Sequence, residues 1–202
     1  MSKKPIVTFD IDDVLAASTE AIRLFVNAHT GAELRPEDYK VPGPYWDYHP
    51  QVWEQHGLKM TQADLEAALP HDPSIIQPYE GALEALETLA ERFTLAAVSA
   101  RSGIWEKAAR EWLALHFGDL FEIVHFAGGT DGSHTETKGE MCVALGAKWH
   151  VDDHLDHCVD ALAHGVQPIL FGEYGWQSGK VPSGVVRCKD WPAVLDYFDD
   201  VD

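Results

Sequence analysis

Apolar and polar positions alternate in blocks along this chain, and the first block is the most telling. Ile6-Val7-Thr8-Phe9 is a β-branched and aromatic run that continues through Asp10-Ile11-Asp12-Asp13 to Val14-Leu15. Such a run predicts a buried strand, with three carboxylates where it should end. Ala21, Leu24, Phe25 and Ala28 then recur at helical spacing. From Pro78 onward the pattern becomes regular. Leu83, Leu86, Leu89 and Ala90 predict a helix, residues 93–98 a strand, and Trp105, Ala109, Trp112 and Leu113 a helix. Residues 120–126 predict a strand, followed by a Gly/Thr/Ser-rich loop over 127–135. Met141, Cys142 and Leu145 predict a helix, residues 148–151 a strand, Leu155, Cys158, Val159 and Leu162 a helix, and residues 166–171 a strand. A Gly-rich loop over 172–184 leads to a closing helix on Trp191, Val194, Leu195 and Phe198. Strands alternating with amphipathic helices predict an α/β fold, a doubly wound parallel sheet covered on both faces.

Residues 30–78 interrupt this regularity. They carry Pro36, Pro42, Pro44, Pro50, Pro70, Pro73 and Pro78 and an aromatic set of Tyr39, Tyr45, Trp46, Tyr48 and Trp53. Thr61 followed by Asp64 has the form of a capping box, with Leu65, Ala68 and Leu69 continuing it. The expected organisation is a core domain of residues 1–15 and 79–202 with a small helical insert over 16–78.

Charge and composition narrow the function classes. The chain has 202 residues, 46% of them hydrophobic, and a formal charge of −18. That length supports a sizeable core without staples. The charge argues against nucleic acid polymers and membrane surfaces, which need Lys/Arg-rich faces. A small phosphate ester is compatible with it, because a bound cation reverses the field inside a pocket. Cys142, Cys158 and Cys188 show no paired spacing, which suits a reducing compartment. The start carries no long apolar stretch and no run of 18 apolar residues occurs, so a soluble, cytoplasmic protein is expected.

Candidate chemistry sits where strands should end. Asp10 and Asp12 lie two apart, which in extended chain puts both on one face, with Asp13 pointing away. Paired acids capping an apolar strand suggest a hard cation with oxygen ligands, most simply Mg2+. Ser99 follows the strand over 93–98, in Val98-Ser99-Ala100-Arg101. Lys138 opens a helix, and Asp152-Asp153 end the strand before it reaches His154.

Taken in this order, the residues resemble the four signature motifs of the haloacid dehalogenase superfamily of phosphohydrolases: Asp10-Ile11-Asp12, Ser99, Lys138 and Asp152-Asp153. The resemblance implies a Rossmann-like core with a cap after the first strand. It implies Asp10 as nucleophile forming an aspartyl-phosphate and Asp12 as general acid and base, with its pKa raised for that work. It also implies Mg2+ held by Asp10, Asp12 through its carbonyl, and Asp152 or Asp153. Ser99, Ala100, Arg101 and Lys138 would bind the substrate's phosphoryl group. Because Asp12 is present, a phosphatase is implied rather than a dehalogenase. Asp10 to Leu15, Ser99-Ala100-Arg101 and Val151-Asp152-Asp153 are similar to the 5'(3')-deoxyribonucleotidase branch, which implies a nucleoside monophosphate as substrate. Only Arg23, Arg35, Lys40 and Lys59 are cationic in the insert, too few for a multiply phosphorylated substrate. The insert's aromatics either stack on a base or form a small core of their own.

Other readings are a phosphatase for sugar phosphates, a receiver-like signalling module, and a non-catalytic phosphate-binding protein. Zinc is a further alternative, since His150, His154 and His157 bracket the late aspartates. However, His150 falls in a strand on the same face as Asp152, whereas His154 and His157 fall on a helix start.

Overall fold

A computed structural model describes residues 3–68, 75–101, 105–128 and 135–201. Pro70, Pro73 and most of the predicted loop over 127–135 lie outside these residues. Six parallel strands form one sheet: β1 (Ile6–Phe9), β2 (Thr94–Ser99), β3 (Phe121–Phe126), β4 (Ala147–Asp152), β5 (Gln167–Phe171) and β6 (Val186–Cys188). Their order across the sheet is β3-β2-β1-β4-β5-β6. All residues of β1 and β2 are buried, as expected of central strands covered on both faces. The order reverses between β1 and β4, the switch point at which open α/β sheets bind their ligands. A receiver-type sheet would run 2-1-3-4-5, so the order excludes that architecture.

Eight helices accompany the sheet among the described residues: α1 (Ser18–Thr30), α2 (Tyr48–Gln55), α3 (Gln62–Ala68), α4 (Ala82–Ala90), α5 (Glu106–Phe117), α6 (Lys138–Leu145), α7 (Leu155–Ala163) and α8 (Trp191–Asp200). On α4, Ala82, Ala85, Leu86 and Leu89 are buried, one stripe at helical spacing. They join Val7, Phe9, Leu95, Phe171, Trp191 and Phe198 in the main core. No helix among the described residues is long and apolar enough to cross a membrane.

Two expectations need correction. The strand at the start stops at Phe9, so Ile11 to Leu15 do not extend it. Asp12 forms a bridge with Ala16, and the amide groups of Leu15 and Ala16 both donate to the Ile11 carbonyl, at 3.1 and 2.8 Å. Asp13 adopts a left-handed backbone with φ 53°, which a short polar side chain tolerates by local hydrogen bonding. The sixth strand was not foreseen. Its three residues are too few to display alternation.

Between β1 and α4 the chain builds a second, smaller core. Val26, Leu34, Tyr39, Tyr48, Val52, Trp53 and Leu65 bury one another, together with Trp176 from the loop after β5. Trp53 Nε1 donates to the Tyr39 hydroxyl at 3.0 Å. Thr61 and Asp64 do cap α3: the Asp64 N–H donates to Thr61 Oγ1 at 3.2 Å and the Thr61 N–H to Asp64 Oδ2 at 2.9 Å. Where the chain leaves and re-enters the sheet its two passes pair, Ala16 with Pro78. The loop over 172–178 closes against this segment at Gly175. A Cβ there would come within 2.0 Å of Tyr48 Oη and 2.1 Å of the Val41 carbonyl, so only glycine permits the approach.

Candidate active site

The register of β1 against β4 sets the site. Thr8 pairs with His150 and Phe9 with Val151, and the Asp10 N–H donates to the Val151 carbonyl at 2.9 Å. Asp10 and Asp152 therefore leave adjacent strands side by side. Asp10, Asp152 and Asp153, all buried, each bring one carboxylate oxygen within 4.8 Å of the others. Two oxygens on opposite sides of one Mg2+ stand about 4.2 Å apart at Mg–O distances of about 2.1 Å, so this donor set fits that ion. Three carboxylates without histidine suit a hard cation and not zinc.

Lys138, the first residue of α6, reaches into this cluster from below, 3% exposed. It pairs with Asp10, lies 3.3 Å from Asp152 Oδ2, and donates to the Val98 carbonyl at 3.1 Å. Burial works against its charge, but Asp10 and Asp152 more than offset this and push the ammonium pKa up. The capping box of α6, Thr137 with Glu140, fixes the backbone from which it projects.

The three acids differ sharply in their surroundings. Asp152 is met by four donors. The His154 N–H donates to Oδ1 at 2.8 Å, and His157 Nδ1 lies 3.1 Å from the same oxygen. His150 Nε2 lies 3.0 Å and Lys138 Nζ 3.3 Å from Oδ2. Burial opposes ionisation, yet His157, Lys138 and the His150 contact hold Asp152 well below the usual range. Among the described residues, Asp153 receives only Trp176 Nε1, at 2.9 Å on Oδ2. Burial first, then the neighbouring charge of Asp152, pushes Asp153 well above that range. Asp10 is also raised by burial, against the pull of Lys138. Thus one oxygen of Asp10 and one of Asp153 face no protein donor among the described residues.

His150 is fully buried behind Asp152. The Thr8 hydroxyl donates to the Trp149 carbonyl at 3.0 Å and lies 3.1 Å from His150 Nδ1. The ring's Nε2 faces Asp152 Oδ2 at 3.0 Å on the other side. Burial disfavours a charged ring, but negative charge on Cys142 and Asp152 and the hydrogen bonds to them push its pKa up to about 10.

The remaining candidates line the rim. Asp12 is held by Arg101, whose Nε donates to Oδ2 at 2.6 Å, and by Ser18 Oγ at 2.5 Å. Burial would raise its pKa, but the Arg101 guanidinium and Ser18 bring it below the ordinary value. This corrects the expectation of a raised Asp12. Asp13 also departs from expectation: it is buried, accepting from the Thr19 N–H at 2.9 Å and the Thr19 hydroxyl at 2.7 Å. Burial pushes it up to about 7. Ser99 is buried at the end of β2, its Oγ accepting from the Arg101 N–H at 3.1 Å across the half-buried Ala100.

No family model matches the sequence, and no curated protein does. Solved structures do. A HAD-superfamily hydrolase from Ehrlichia chaffeensis is 17% identical, with 100% of this chain and 99% of that chain aligned at a TM-score of 0.58. A predicted phosphoglycolate phosphatase from Haemophilus somnus is also 17% identical, over 98% of this chain and 99% of that one, at 0.58. YfnB of Bacillus subtilis, bound to magnesium, is 12% identical over 98% of this chain and 100% of that one, at 0.59. The chain has the haloacid dehalogenase fold. Within that fold Asp10, Ser99, Lys138 and Asp152 stand at or beside the carboxyl ends of strands, on the rim where the order of the sheet reverses.

Several contacts at this rim were not foreseen in the sequence. Trp176 and Gln177 brace Asp153, with Gln177 Nε2 donating to its carbonyl at 2.7 Å. Tyr45 packs edge-on against His154, ring centres 3.9 Å apart. Their signal was faint: a Trp inside a Gly-rich loop, and one Tyr among many.

Proposed function

We propose that this protein is a Mg2+-dependent phosphomonoester hydrolase. What carries the reading is the buried trio Asp10, Asp152 and Asp153 with Lys138 among them. Burying three acids is costly unless cations meet them, and one lysine with a histidine leaves negative charge in excess. Asp10, the carbonyl of Asp12, and Asp152 or Asp153 would hold the ion. The ion supplies charge neutralisation for the phosphoryl oxygens and lets a dianion approach the acids.

The chain's own residues would then act as follows. The free oxygen of Asp10 attacks phosphorus, and the P–O bond to the ester oxygen breaks. Asp12, protonated from solvent once Arg101 has let go of it, gives that oxygen its proton. Water next attacks the aspartyl-phosphate, returning a proton to Asp12 and freeing phosphate and the Asp10 carboxylate. Lys138, Ser99 and the backbone around Ala100 stabilise the equatorial oxygens. Arg101 is tied to Asp12 before substrate binds. An arriving phosphate draws the guanidinium to itself, which frees Asp12 for proton transfer.

A core of residues 1–15 and 79–202 with 16–78 as a cap over the site accounts for the aromatic wall beside it. Trp46 is 81% exposed and Tyr45 39%, 5.4 Å apart by ring centres, and they favour a planar leaving group such as a nucleoside over a sugar. The test is phosphate release from a panel of nucleoside monophosphates and sugar phosphates, with Mg2+ or with chelator. Mg2+-dependent turnover with nucleotides ahead is the expected result. Preference for sugar phosphates removes the nucleotidase reading, and chelator-resistant turnover removes the metal.

A further inference from the structure

We propose that His150 and His157 are positioning residues that clamp Asp152 from two sides and so set the geometry of the Mg2+ site. The inference rests on the metal reading above. Asp152 is the last residue of β4, where a carboxylate on a strand end would otherwise be free to rotate about its side-chain bonds. A carboxylate offers roughly four acceptor positions, and four protein donors meet this one. Two of them, the His154 N–H and Lys138, are set by the start of α7 and by α6. The other two are histidine side chains at 3.0 and 3.1 Å.

The two rings are built differently. His150 has no exposure and is tied on its far side to Thr8 Oγ1 at 3.1 Å, which in turn lies 3.2 Å from Cys142 Sγ. It therefore locks Asp152 to β1 and α6, the elements that carry Asp10 and Lys138. The His157 side chain is 30% exposed and joins Asp152 to the first turn of α7. Together they hold the Asp152 carboxylate against rotation, keeping one of its oxygens within 4.8 Å of one each from Asp10 and Asp153. Groups that orient carboxylates around a metal are typically worth about 10–100-fold in metal affinity.

The experiment is calorimetric titration of Mg2+ into the full chain and its variants, with melting temperatures measured alongside. His157→Ala should weaken Mg2+ binding about 10–100-fold with little change in melting, because the ring is partly exposed. His157→Asn places an amide N–H where Nδ1 stands and should recover most of that affinity. Thr8→Val, which removes the hydroxyl behind His150, should weaken binding by a smaller factor. In phosphate release at saturating Mg2+, His157→Ala should leave KM for the ester unchanged while raising the Mg2+ concentration for half-maximal rate. Mg2+ affinity unchanged in both His157→Ala and Thr8→Val overturns the clamp and leaves the metal site standing. A wild-type chain that binds no Mg2+ overturns the metal reading itself. His157→Asn behaving like His157→Ala also overturns the clamp, since a donor at that position would then be irrelevant.

Discussion

The rim of the sheet and the aromatic segment between β1 and α4 solve opposite problems. At the rim, polar groups are buried by strands that are themselves buried, and each charge is tolerable only because another stands beside it. In the segment, large rings are buried between short helices and their connections, held by contacts such as Trp53 to Tyr39 and Gly175 beneath Tyr48. The rim gains little from burial and depends on geometry. The aromatic core gains from area removed from water and tolerates approximate fit. Chemistry and stability should therefore separate when the two regions are altered.

The largest effect is expected at Asp10. Asp10→Asn should lower phosphate release roughly a thousandfold or more, because a nucleophile acts as one unit with its neighbours, while circular dichroism still reports a folded chain. Trp53→Ala should do the reverse. It should cost about 3–5 kcal/mol in denaturant unfolding and change turnover per folded molecule much less. If Trp53→Ala abolished turnover in the folded fraction, the separation would be lost. Lys138→Met crosses the boundary. Removing the one lysine among three buried acids should cost about 3–5 kcal/mol and also activity, and added Mg2+ should return part of the stability.

How much of this was legible beforehand follows the same divide. β1, β2 and β5 were readable because continuous apolar runs announce buried strands, whereas Lys138 was placed only by the resemblance to the family's third motif. Ser99, Asp152 and Asp153 follow from strand ends that the pattern places to within a residue, and Asp10 from the break after Phe9 that its run of carboxylates marks. The pairing of Arg101 with Asp12, which lowers a carboxyl expected to be raised, was not readable, since it joins residues 89 apart in the chain. Nor was the brace of Trp176 on Asp153, made by a loop without periodicity. In the segment after β1, α2 went unseen because Pro50 and the aromatics mask its short apolar stripe. Of the segment's rings, Tyr39, Tyr48 and Trp53 are buried in its small core, while Tyr45 and Trp46 are exposed.

Smaller effects sharpen the comparison where the regions touch. Trp176→Phe removes the N–H from Asp153 but keeps an aromatic ring in the small core. It should weaken Mg2+ binding by a few-fold, in line with a hydrogen bond worth about 1 kcal/mol, with melting nearly unchanged. His49 offers the mildest test. It stacks beside Trp53 and faces Thr19 Oγ1 at 3.2 Å, and burial takes its pKa down to about 4 from an ordinary 6.5. A histidine depressed in the folded state contributes stability that is present above pH 6.5 and lost as pH falls toward 4. Melting temperature should thus drop by a few degrees more over that interval in the wild type than in His49→Gln.

The claim on which the rest stands is that Asp10 carries phosphate covalently. Rapid quenching during turnover of a phosphomonoester with Mg2+, followed by borohydride reduction and peptide mass spectrometry, reads this directly. The account predicts reduced side chain at Asp10 alone, present with Mg2+ and substrate together and missing in Asp10→Asn. Turnover with Asp10 unlabelled, or label at another residue, would contradict it.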